Sequence, residues 1–91
     1  MILLLVGLDE ALQRRIGHIF DGASIFVAVD DDAAIKQLRM VDVDAAVRSA
    51  TRRLARFSDF VGRARHTSPR TTLIAVSTDD DDADAADFVV G

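Results

Sequence analysis

Apolar residues fall along this chain in short blocks, and the blocks alternate between a strand-like and a helix-like period. Ile2 to Val6 is an unbroken aliphatic run closed by Gly7. Such a run suits a strand buried on both faces, as in a parallel sheet clad by helices. Asp9 can cap the next helix, and Glu10 to Phe20 places Leu12, Ile16 and Phe20 on one helical face. Asp21-Gly22 stops that helix. Ser24 to Val29 reads as a second apolar strand. Asp30, Asp31 and Asp32 follow it, favouring the positive end of a helix dipole. The helix expected from Asp32 to Met40 buries Ile35 and Leu38. Val41 to Val47 is the expected third strand, with Asp42 and Asp44 at its beginning.

The longest helix is expected over Ser49 to His66. There Leu54, Phe57 and Val61 share one face, and Arg48, Arg52 and Arg56 share another at four-residue spacing. Thr67-Ser68-Pro69 breaks it. Thr71 to Ser77 is the fourth strand, and Asp79 to Asp87 is an acidic, Ala-rich loop with room for one short helix. Phe88-Val89-Val90 opens a fifth strand. Alternation of this kind predicts a parallel sheet with right-handed crossovers. The expected fold class is α/β, a parallel sheet of about five strands between layers of helices. The helix that should cover the face beside the fifth strand is missing or truncated. Residues 1–91 are therefore expected to be a single domain, the N-terminal part of a larger regulatory protein.

Composition narrows the function classes. With 91 residues, 49% hydrophobic and 29% charged, the chain is globular and one domain at most. It has no cysteine, which excludes disulfides and thiolate metal sites. His18 and His66 lack ligand spacing and are read as surface residues near helix ends. The first apolar run is too short to span a bilayer and has no basic leader, so no membrane association and a cytoplasmic location are expected. The net charge of −4 hides an asymmetry. Residues 1–44 carry eight acids and four bases, 45–75 carry seven arginines and one acid, and 76–91 carry six acids and no base. A basic middle between acidic ends suggests complementary contacts within one chain or between chains.

The ordered series of elements resembles the receiver domain of bacterial response regulators, which implies a flavodoxin-like three-layer sandwich with strand order 2-1-3-4-5. The resemblance covers nearly all of the chain and is strongest from Arg63 to Gly91, "RARHTSPRTTLIAVSTDDDDADAADFVVG". It gives Ser77 the hydroxyl position at the end of strand four and Phe88 the aromatic position in strand five. It also implies sites that this sequence does not fill. Receivers hold Mg²⁺ with paired acids directly after strand one, where this chain has Gly7 and Leu8, followed by Asp9 alone. Receivers phosphorylate an Asp at the end of strand three. Counted from the front that position is Val47, and counted back from Pro69 it is nearer Ser49. No Asp or Glu lies between Asp44 and Asp59, and the only lysine is Lys36. Phosphoryl transfer to a carboxylate needs the carboxylate and a metal to neutralise developing charge. The resemblance thus implies a degenerate pocket of Gly7, Leu8, Asp9, Val47, Ser49, Ser77 and Thr78, with no catalytic residue, metal or cofactor.

Each remaining feature has a plainer reading. Asp79 to Asp82 reads as a solvated loop, since contiguous aspartates point in different directions and do not converge on one ion. The Asp30–Asp32 triplet could face a ribose, as in dinucleotide-binding folds, but the turn after strand one has a single glycine, and Asp9 and Glu10 would repel a pyrophosphate. The arginines could grip a phosphate backbone, but they lack interleaved aromatics in an acidic chain, so nucleic acid is not an expected partner. Ser77 and Thr78 read as helix caps. The expected function is a pseudo-receiver: a non-enzymatic signalling module of a two-component type or transcriptional regulator, working by contact with a protein partner or by dimerisation. Asp84, Asp87 and Phe88 are its expected contact surface. A nucleotide- or phosphate-binding module is the second reading, so a small-molecule ligand stays open.

Overall fold

A computed structural model describes residues 1–50, 56–77 and 85–90. The strands are β1 (Ile2–Val6), β2 (Ser24–Ala28), β3 (Ala45–Ala50), β4 (Thr72–Ser77) and β5 (Phe88–Val90). The helices are α1 (Glu10–Ile19), α2 (Asp31–Met40) and α3 (Phe57–Thr67). All strand pairs are parallel, as the alternating pattern predicts, and their order β2-β1-β3-β4-β5 is the one the receiver resemblance implies.

The aliphatic run of β1 forms the centre because both of its faces are covered. Leu4 and Val6 pack with Ala46, Leu73 and Ala75 beneath Ile35 and Leu38 of α2 and Phe60 and Val61 of α3. Leu3 and Leu5 point the other way, to Leu8, Leu12, Ile16 and Val47. The sheet therefore lies between α1 on one face and α2 with α3 on the other. Beside β4 and β5 the α1 face has no helix over it among the described residues, and Ile74 and Val76 are half-buried there.

Helix starts follow the acids. Asp9 caps α1 by accepting from the Leu12 amide at 2.8 Å, and Asp30 caps α2 by accepting from the Ala33 amide at 2.9 Å. Gly7 has a φ of 64°, which turns the chain from β1 into α1 and is cheap for glycine alone.

Two expected boundaries are corrected. The third strand is not Val41 to Val47. It starts at Ala45 and runs to Ala50, because Val41 still closes α2 through its N–H bond to Gln37 and Val43 drops into the core before the ladder begins. The helix expected from Ser49 starts instead at Phe57, because Ser49 and Ala50 extend β3. Arg52 and Leu54 lie outside the described residues. Smaller shifts occur elsewhere. Helix α2 begins at Asp31, Phe20 closes α1 as its C-cap, and Val29 lies beyond the end of β2.

Candidate functional site

Open parallel sheets present their chemistry at the carboxyl ends of the strands, where loops leave for the helices. Here that rim is built from the β1–α1 turn, the approach to α2 and the end of β3. Gly7 donates its N–H to the Ala28 carbonyl at 3.0 Å, tying the turn to β2. Leu8 is buried in the α1-side core, and its carbonyl accepts from the Gln13 side-chain amide at 3.0 Å. Asp9 spends Oδ1 on the α1 cap. Glu10 is exposed and pairs loosely with Arg14 at 4.0 Å.

Neither Val47 nor Ser49 stands at the end of β3. Val47 is buried in mid-strand against Leu5 and Ile74, and Ser49 is half-buried opposite Val76. The last residue of the strand is Ala50, which is fully buried and in register with Ser77. Ser77 does end β4. Thr78 and Asp84 lie outside the described residues.

The dominant polar feature of the rim is one the residue pattern did not reveal. Arg48, read as part of a solvated helix stripe, is a strand residue with 0% exposure. Its Nε and Nη2 donate to the two carboxylate oxygens of Asp31 at 2.7 and 2.9 Å. Its Nη1 donates to the Ser49 carbonyl at 3.2 Å. The guanidinium carbon lies 5.2 Å from the ring centroids of both Phe57 and Phe60, which meet edge to face. Planar, forked and weakly hydrated, arginine suits such a site where lysine would not. The arrangement ties β3 to the first turn of α2 and to the first turn of α3.

The Asp30–Asp32 triplet thus divides three tasks. Asp30 caps, Asp31 neutralises Arg48, and Asp32 reaches Arg63 of α3 at 2.9 Å on the surface. Two clues to this were present in the chain: an arginine set inside an apolar run, and more acids than one cap needs.

Asp87, expected on a contact surface, is engaged within the molecule. Its Oδ2 accepts from the Leu73 amide at 2.8 Å and its Oδ1 from Arg65 Nη2 at 3.0 Å. The Leu73 bond first, then the Arg65 bond, hold its pKa below the usual carboxylate value. Phe88 does stand open, at 62% exposure.

Among the described residues no group of three acids or histidines converges as a metal cage. The described part of the rim does not fit a divalent ion that demands an oxygen shell: Gly7, Leu8 and Ala50 bring no side-chain oxygen, and Asp31 is held by Arg48. No helix of the described residues is long and apolar enough to cross a membrane.

Sheet order, crossovers and layer arrangement are those of the receiver fold. The chain superposes on the signal receiver domain of an HD domain-containing protein from Pseudomonas fluorescens Pf-5 with a TM-score of 0.77. They share 19% identity over 97% of this chain and 72% of that one. It also superposes on a response regulator protein from Burkholderia pseudomallei, solved with a phosphorylated aspartic acid, calcium ion and citrate, with a TM-score of 0.79. There the identity is 11%, over 98% of this chain and 58% of that one. No family model and no curated protein matches the sequence.

Proposed function

We propose that this chain is a pseudo-receiver, a regulatory module that signals by protein contact and takes no phosphate. The observation that carries this reading is the chemistry of the rim. A receiver fold is closed at the end of β3 by Ala50, and its β1–α1 turn offers Gly7 and Leu8. The Burkholderia structure, by contrast, carries a phosphorylated aspartic acid and a calcium ion. In this chain Asp31, at the start of α2, is locked to an internal cation. Among the described residues of the rim a phosphoryl group would meet no free acceptor and no metal shell.

The contact surface in this reading is the β4–β5 side of the α1 face, where Ile74, Val76, Phe88 and Val90 share one side of the sheet. Apolar side chains left open in this way favour a protein partner. The output belongs to a further regulatory domain, and cytoplasmic signalling, transcriptional control included, is the setting that suits such a module. The phosphate-binding alternative gains nothing from the geometry: the amino end of α1 is capped by Asp9 and that of α2 by Asp30.

The test is incubation with a small acyl-phosphate donor and Mg²⁺, followed by intact-mass measurement. The chain is expected to keep its mass. Stable gain of one phosphoryl group on Asp or Glu would overturn the reading. A thermal shift of several degrees with ATP, NAD or a cyclic nucleotide would favour the ligand-binding alternative instead.

A further inference from the structure

Strand β5 is the open edge of the sheet, with β4 as its only neighbour among the described residues. The Thr72 amide donates to the Asp44 carbonyl, so Thr72, Ile74 and Val76 turn their backbone groups to β3. Leu73, Ala75 and Ser77 therefore turn theirs to β5. With Ala75 opposite Val89, the ladder engages Phe88 and Val90 and leaves the N–H and C=O of Val89 pointing out of the sheet. All three side chains of β5 are exposed, at 62%, 46% and 55%. The three residues of the edge include no lysine or proline to keep strands from pairing, and only the shortness of the strand limits that pairing. The Asp87 bonds to Leu73 and Arg65 hold the strand's entrance in place.

We infer that this edge pairs with the same edge of a second copy, antiparallel, about a two-fold axis at Val89. The inference rests on reading the chain as an interaction module, and it names the partner as the chain itself. The symmetry follows from the register. Val89 is both the middle residue of β5 and the one with outward backbone groups, so its N–H meets the Val89 carbonyl of the second copy and the reverse. Phe88 then faces Val90 of the second copy in the closer, non-hydrogen-bonded position. Both side chains lie on the α1 face, beside Ile74 and Val76. Each open ring is covered by a valine of the other copy. A one-residue slip would put the paired side chains on opposite faces and lose this cover. The charge at the strand entrance, Asp87, lies at opposite ends of the joint in the two copies and is paired with Arg65 in each. The sheets join into one of ten strands. A three-residue edge is short of the area of a permanent dimer, so the association is weak, in the micromolar-to-millimolar range.

The experiment is sedimentation of the native chain from tens of micromolar to millimolar, together with Val89→Lys, Val89→Glu and their equal mixture. The native chain is expected to approach twice its monomer mass. Each variant alone is expected to associate at least about tenfold more weakly, since like charges directly opposite repel. The mixture is expected to recover dimer. A native chain that stays monomeric, one that grows beyond the dimer, or a mixture no more associated than its components would overturn the inference. Should the variants lose their native circular dichroism, exchange of the Val89 amide in the native chain decides. That exchange must slow as concentration rises, because pairing gives the amide the Val89 carbonyl of the second copy as acceptor. A monomer that also takes no phosphate sinks the dimer and leaves the pseudo-receiver reading standing, whereas phosphate uptake sinks that reading whatever the oligomeric state.

Discussion

Arg48 and Asp31 form a charge pair closed off from water, and its energetics differ from those of the surface pairs around it. Desolvating both ions costs several kcal/mol each, so the pair is tolerated because both carboxylate oxygens and the guanidinium fork are matched. Removing one partner strands the other. Asp31→Asn or Arg48→Ala is expected to cost about 3–5 kcal/mol in urea unfolding, while Arg48→Met combined with Asp31→Leu recovers most of that loss. Replacing exposed Asp32, which pairs with Arg63, is expected to cost under about 1 kcal/mol. Asp87 makes stability depend on acid. Its folded pKa lies below the ordinary 3.8, so the folded state holds fewer protons in that window. Its contribution is complete above 3.8 and is lost as pH falls through the lower folded value. Acid titration of the native chain against Asp87→Asn is expected to show a steeper fall below pH 3.8 for the native chain. At this scale the chain was least legible. Nothing local distinguishes an arginine on a solvated helix from one clamped in a strand, because its partner lies 17 residues away.

Elements with a clean local signal are placed close to expectation: β1 by its aliphatic run, α1 and α2 by their aspartate caps, β4 by its apolar centre. The cap signal carries a measurable free energy. Asp9→Ala is expected to lower stability by about 1 kcal/mol in thermal or urea unfolding, with the first turn of α1 losing the most protection in amide exchange. The failures fall together at β3 and α3. The strand AAVRSA has one β-branched residue in six and three alanines, so its composition argues for helix. Burial between β1 and β4 decides otherwise. Reading Ser49 into a helix takes Ser49 and Ala50 from β3 and sets the helix start ahead of Phe57, where α3 begins.

On the scale of the molecule, the alternation of periods was enough for a parallel sheet with helical crossovers, while the order of the five strands came with the resemblance to receivers. The degenerate rim was legible at Gly7 and Leu8, where it depends on the residue types after β1. It was displaced at β3, where Ala50 closes the strand. The open face beside β4 and β5 adds little to the stability of the single chain. Phe88→Thr is expected to change unfolding free energy by less than about 0.5 kcal/mol, because that ring is mostly in water.

Strand order has a further consequence for biosynthesis. The ribosome releases β1 and β2 first, but β3, the strand that flanks β1 on its other side, comes only with residue 50. Until then the first two strands lack a flank and Asp31 lacks its cation, and α2 waits longer still, to residue 67, for the whole of α3. A nascent chain arrested before β3 has emerged has no half-domain to settle into, so vectorial folding of this domain waits for that strand.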